Sequence, residues 1–378
     1  MAAWVLYVLA CASFSPDDSK IAFPSYDAAT GTPSVAIYNR VLRTTRTLLA
    51  FPAPAPGETG LLGVRPVWTP DGTRVVALWA EDKVARIAVV PIAAGSATRL
   101  FAVPDLDDAE SAAVYPPAIV GEQLFFASKG AILRVNLRTG AVVSAKAEGN
   151  IVLVGQGSTV YYEREVESQN SDSRIELGTV DPSTLALTLA FQTPPIGDAG
   201  LLAISRDGTQ AATAVKNDHM SRILIFQNKQ LQRTIPIDAK DGSVALGAIQ
   251  WSPTWSTLYT TLVRSGADGQ PHQFEVLEVA VKTGAQREIP LFSFTGKLDD
   301  GDALLFQLDV SHDGRMLAGA STYLLDRAGK ASDGSQTRLG LAADAAALYM
   351  VDLSRPGRPV TKVPIPVPKA VFAAAQER

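Results

Sequence analysis

The sequence predicts an all-β chain, four-stranded antiparallel blades closed into a β-propeller, with seven blades as the best count and six or eight left open. Three observations carry this reading. A polar hairpin turn recurs along the chain, short apolar strands lie at regular intervals between its copies, and the composition suits strands and turns.

The turn is clearest in Trp68-Thr69-Pro70-Asp71-Gly72-Thr73-Arg74-Val75-Val76-Ala77. Pro70 presets φ for the first corner of a type I turn, Asp71 can bond the backbone locally, and Gly72 takes the left-handed conformation. Together they predict a three-residue hairpin loop joining two strands. The block returns at Phe14-Ser15-Pro16-Asp17-Asp18, at Ile204-Ser205-Arg206-Asp207-Gly208 and at Val310-Ser311-His312-Asp313-Gly314. A variant, Trp251-Ser252-Pro253-Thr254-Trp255, keeps the turn but carries an aromatic residue at its tip.

Each unit then supplies three further strands. The first gives Ile21 to Phe23, Ser34 to Tyr38 and Arg46 to Leu49; the second gives Val75 to Trp79, Ala85 to Val90 and Thr98 to Phe101. Apolar and polar positions alternate in the third strand of each unit, as a strand requires. Two units with drifted turns fit between Phe101 and Ile204, around Gly121-Glu122 and Gly157-Ser158. The six steps from Ser15 to Ser311 average about 49 residues, the size of a four-stranded propeller blade. Such a unit cannot bury both faces alone, so neighbours stack around an axis.

Residues 1–363 are read as one propeller domain and 364–378 as a tail. Each blade is built from consecutive sequence, and no strand is left over to join the first blade to the last. Pro364, Pro366 and Pro368 lack N–H donors, so this stretch is expected to be an extended edge or linker, not a central strand.

Composition limits the function classes. The chain of 378 residues is 47% hydrophobic and 19% charged, enough for a sizeable core, and its 29 Gly and 24 Pro favour many turns. Basic residues number 34 against 38 acidic, a net charge of −4, with no Lys/Arg block to track phosphates; nucleic acid is excluded as a partner on this reading. One cysteine, Cys11, rules out an intrachain disulfide and a multi-cysteine metal site. Val8-Leu9-Ala10-Cys11 loosely resembles the lipobox of bacterial lipoproteins, but no Lys or Arg precedes it and the apolar run is short, so residues 3–14 read better as the strand before the first turn. No apolar stretch reaches the length of a membrane helix.

The blocks at 14–23 and 68–77, each followed by a strand such as Val35 to Tyr38 or Leu348 to Leu353, resemble the TolB-type, WD-repeat-like propeller repeat, also found in the propellers of prolyl oligopeptidase and dipeptidyl peptidase relatives. The resemblance implies a bacterial, exported or periplasmic scaffold, and the shared residues are structural turns, not a site. The G-x-S-x-G elbow that a peptidase domain would need is not found.

Candidate sites lie where the copies differ. Two acidic stretches, Asp105, Asp107 and Asp108, and Asp299, Asp300 and Asp302, precede innermost strands and could hold a hard cation such as Ca2+, although neither has EF-hand spacing. Apart from that cation, no cofactor is expected. The loops 163–174 and 326–338 are polar insertions. Trp68, Trp251 and Phe14 share one position and point to packing between blades, whereas Trp255 and Trp79 are candidates for a binding surface. His219, His272 and His312 lack partners at metal-ligand spacing, and His312 reads as an exposed turn residue. The leading expectation is a non-enzymatic, monomeric scaffold that engages a protein or peptide through one axial face. The alternatives are a lactonase- or lyase-like enzyme with a metal in the central channel, and a gating domain for a separate catalytic chain.

Overall fold

In the computed structural model the recurrent turn does join two strands, and each such hairpin grows to four. The structure describes residues 10–51, 62–104, 106, 117–167, 173–193, 198–237, 244–264, 272–294, 306–321 and 346–367, less positions 28, 31, 82–83, 94, 129, 206–208, 218–219 and 229. A two-residue strand β1 (Ala10–Cys11) precedes blade 1, which is β2 (Ser13–Phe14), β3 (Lys20–Tyr26), β4 (Pro33–Asn39) and β5 (Thr44–Ala50). Blade 2 is β6 (Leu62–Trp68), β7 (Arg74–Glu81), β8 (Val84–Pro91) and β9 (Arg99–Val103). Blade 3 follows with β10 (Ala118–Val120), β11 (Gln123–Ser128), β12 (Ala131–Asn136) and β13 (Val142–Lys146). Blade 4 has β14 (Asn150–Gln156), β15 (Thr159–Glu167), β16 (Ser173–Val180) and β17 (Leu187–Gln192). Blade 5 has β18 (Asp198–Ile204), β19 (Gln210–Asn217), β20 (Met220–Gln227) and β21 (Gln230–Ile237). Blade 6 has β22 (Val244–Trp251), β23 (Thr257–Arg264), β24 (His272–Ala280) and β25 (Gln286–Phe294). After β26 (Phe306–Gln307), blade 7 comprises β27 (Asp309–Val310), β28 (Met316–Ser321), β29 (Ala347–Asp352) and β30 (Val360–Pro364). All seven blades are meanders of consecutive antiparallel strands.

The turn is larger than the predicted three-residue loop. Strand pairing of β6 with β7 ends at Trp68 and Val75, leaving residues 69–73 between the two strands. The Thr69 carbonyl turns to accept the Gly72 N–H at 2.8 Å instead of the Arg74 N–H. The Thr69 hydroxyl takes its place, accepting the Arg74 N–H at 3.2 Å and donating to Asp71 Oδ1 at 2.5 Å. Asp71 Oδ1 also accepts the Thr73 N–H at 3.0 Å, and Gly72 sits at φ 67° as expected. Ser15, Ser205, Ser252 and Ser311 repeat the hydroxyl contact. The drifted turns of blades 3 and 4 are plain two-residue hairpins with Gly121 and Gly157 at positive φ.

The core lies between blades. Seven apolar clusters occupy the seven blade junctions, including the one between blades 7 and 1, so the ring is closed. The Trp68 indole N–H donates to the Ser13 carbonyl at 2.9 Å, and that of Trp251 to Ala203 at 3.0 Å, each reaching the preceding blade. The two tryptophans therefore do pack between blades.

Closure corrects a second expectation. A strand is left over: Ala10 and Cys11 pair in parallel with Phe306 and Gln307, just ahead of blade 7. Two apolar-flanked residues carry no alternation to read, which is why the pairing is silent in the sequence. Pro364 ends the outermost strand of blade 7, and the Ile365 N–H donates to Ala346 O at 3.0 Å while its side chain joins the core between blades 7 and 1. No helix among the described residues is long and apolar enough to cross a membrane.

If the hydroxyl is what closes the turn, Thr69→Val strands the Arg74 N–H and costs about 1–3 kcal/mol, whereas Thr69→Ser costs less than half as much. Chemical denaturation of the two variants checks this ordering.

Candidate functional site

The turns after the first and third strands of a blade share one axial face, and in blades 1, 2, 3, 5, 6 and 7 they are tied together. Arg40 N–H donates to Ser19 O, Ile92 to Thr73, Leu137 to Glu122, Asn228 to Thr209, Val281 to Ser256 and Leu353 to Arg315, all between 2.7 and 3.0 Å. This face is consequently a rigid platform whose side chains are held by backbone geometry.

Blade 1 puts an unusual residue pair on it. Asn39 Oδ1 accepts the N–H groups of Val41 at 3.0 Å and Leu42 at 2.9 Å, and Arg43 turns the chain at φ 55°. The same capped turn in blade 3 carries Arg138-Thr139-Gly140 on Asn136, and in blade 4 Ser183-Thr184-Leu185 on Asp181. In blade 1 the tip is aliphatic: Val41 is 78% exposed and Leu42 69%, with Arg43 exposed beside them. Arg40 anchors the tip, donating through Nη1 to Asp18 O at 2.5 Å and lying 5.7 Å over the Phe14 ring. Nothing in the alternation of β4 marks Val41 and Leu42 as exposed; the signal was a large apolar pair in a turn slot that blade 2 fills with Ala93-Ala94 and blades 3 to 7 fill with polar residues. Between blades 3 and 4 the face also holds a cleft of about 370 Å³ lined by Gln123, Arg134, Asn136, Val143, Pro182 and Ser183.

The residues predicted as sites are placed as follows. Trp255 occupies the left-handed position of its turn at φ 56°, half-buried, with its ring set edge-on to Trp251 and the two centroids 6.4 Å apart. It is on the turn face. Trp79 is 7% exposed and packs edge-on against Phe51 at 4.8 Å, inside the core between blades 1 and 2. Apolar flanks on β7 draw it inward, so it offers little surface. Asp105, Asp107, Asp108, Asp299, Asp300 and Asp302 lie outside the described residues, as do His219 and loop 326–338. Among the described residues no three His, Cys, Asp or Glu side chains come together in a metal-binding group.

A buried polar group that the sequence did not disclose sits where blades 7, 1 and 2 meet. Arg65 is fully buried, the thiol of Cys11 lies 3.9 Å from Val64 O, and Asp309 Oδ2 accepts the Phe14 N–H at 2.8 Å across the ring closure. Burial pushes the Cys11 thiol up, opposed by the Arg65 guanidinium, so the sulfur is held as a neutral thiol. Burial also raises the Asp309 carboxyl to about 6 from its ordinary 3.8, against the pull of the Phe14 N–H and of His312.

Comparison with known proteins adds fold information only. No protein-family model matches the chain, and no curated protein matches it. Among solved structures, the β-propeller domain of Cps50 (Swd1) from Myceliophteria thermophila is 12% identical, with 84% of this chain and 94% of that one covered and a TM-score of 0.55. Hydrazine synthase from Kuenenia stuttgartiensis is 12% identical over 81% of each chain, at a TM-score of 0.54. TolB from Acinetobacter baumannii is 15% identical over 74% of this chain and 65% of that one, at 0.45. The likeness is one of fold. It spans proteins of unlike kind, so the function has to be argued from this chain's own surface.

Asp309 supplies a test of the closure. Its folded pKa lies above the ordinary value, so its contribution to stability is full below pH about 4 and is lost as pH rises through about 6. Asp309→Asn, which resembles the protonated acid, should match the native protein near pH 4 and exceed it by about 1–3 kcal/mol near pH 8. Denaturation curves of both proteins at the two pH values measure the difference.

Proposed function

We propose that the protein is a non-catalytic binding propeller that engages a protein or peptide partner on its turn face. One observation supports this above the others: the solvent-exposed Val41 and Leu42 at the tip of a turn that Asn39 and Arg40 hold rigid. Exposed aliphatic side chains on an ordered loop bind without a large ordering cost, because the entropy of the loop is already lost in the free protein. With Arg43 alongside, the tip suits a partner segment that presents an apolar side chain next to a carboxylate. Trp255 supplies an aromatic edge on the same face. The TolB-type character of the repeat supports an exported, periplasmic setting, with the propeller acting as a single chain.

The test uses a displayed library of random peptides selected on the immobilised propeller. Peptides enriched on the native protein should bind Leu42→Asp at least ten-fold more weakly and contain apolar and acidic residues. Selection of no peptide, or of peptides that bind the variant equally well, contradicts the reading.

A further inference from the structure

Where two hydroxyl-closed turns are neighbours they meet through one contact, seen at the junctions of blades 1 and 2 and of blades 6 and 7. The first-corner residue of one blade lies against the left-handed residue of the next. Pro16 Cδ is 3.4 Å from where a Cβ on Gly72 would stand, and Pro253 Cδ is 3.2 Å from that position on Gly314. Between blades 7 and 1 the same two places are filled by His312 and Asp18 instead of Pro and Gly.

Each exchange is unfavourable alone. Asp18 takes φ 56°, a conformation that glycine adopts without strain and that aspartate, among the more tolerant residues with a β-carbon, still adopts at a small cost. His312 gives up the fixed φ of proline that Pro16, Pro70 and Pro253 supply in their turns. Together they create contacts that Pro and Gly cannot make. Asp18 Oδ1 accepts the His312 backbone N–H at 2.9 Å and lies 2.9 Å from His312 Nδ1, and Asp18 Oδ2 accepts the Asp313 N–H at 2.9 Å. Proline has no N–H to give, and glycine has no carboxylate to receive one. The Asp18 side chain is largely buried by this, with 12% of its surface exposed.

We propose that Asp18 and His312 form a closure key, a matched pair that selects blade 7 as the neighbour of blade 1 and so closes the ring at seven blades within one chain. Apolar contact between blades is non-directional and by itself discriminates weakly between one neighbouring blade and another. The key does, because its two halves occur together only at this junction among the described turns. The Asp309 to Phe14 bond and the pairing of β1 with β26 then extend the same junction toward the axis.

The test is a double-mutant cycle in the full chain: Asp18→Gly, His312→Pro and both together. Ser311 precedes position 312 as Ser15 and Ser252 precede their prolines, so the turn accepts proline there. Each single change should lower Tm, and Asp18→Gly should speed amide exchange at His312 and Asp313 at least ten-fold. The double variant should regain at least half of the Tm lost, because it restores the Pro and Gly contact seen between blades 1 and 2 and between blades 6 and 7. Asp18→Asn, which keeps an acceptor and tolerates the left-handed conformation, should lose less than Asp18→Gly and decides the matter if His312→Pro does not fold. Additive Tm losses in the cycle, or exchange in Asp18→Gly as slow as in the native protein, would overturn the proposal.

Discussion

A buried hydroxyl in the first hairpin of a blade is the interaction on which the rest of this structure depends. Ser15, Thr69, Ser205, Ser252 and Ser311 are each at most 6% exposed, and each accepts the backbone N–H five residues on. A buried amide without a partner costs as much as several favourable contacts return, so this bond decides whether the loop can exist at all. With the loop fixed, the innermost strand is held at one angle to the second, the tryptophan before the turn can reach the preceding blade, and the first-corner residue can meet the next one. Local chemistry thereby sets the geometry of the five blades that carry this turn.

Much of this was legible in the chain. Pro70, Asp71 and Gly72 have one low-energy arrangement, and copies at a steady interval leave few folds open. Trp68 and Trp251 could be placed between blades because equivalent positions in a repeat face equivalent neighbours. The loop size was misread because a serine or threonine before Pro-Asp looks like ordinary turn composition; its hydroxyl becomes informative only once the carbonyl is seen to be occupied. Trp79 was a candidate for a binding surface, and the apolar run Val75 to Ala80 around it gives no period from which to choose a face. Asp18 and His312 lie 294 residues apart, and their partnership is a property of ring closure that no local pattern encodes.

The functional reading follows the same division between shared and divergent positions. Residues that recur are occupied by folding: the turn aspartates bond their own loops, and Asp17 and Asp181 are held at about 2 chiefly by neighbouring serine hydroxyls. Positions that depart from the repeat are available for other work. Val41 and Leu42 do so at the blade 1 tip, and Asp18 and His312 at the junction. The Arg40 guanidinium links the two, since it holds the tip against the Asp18 carbonyl. The exposed pair is therefore mounted on the most specifically closed part of the ring.

The central claim is that hydroxyl-closed turns belong to the cooperative core despite their place at the rim. Residue-resolved native-state hydrogen exchange at the amides of Lys20, Arg74, Gln210, Thr257 and Met316 tests it directly. The account predicts that these amides exchange as slowly as those in the middle of β7, through global opening only. Exchange at the rate of the open turn residues on either side would contradict it.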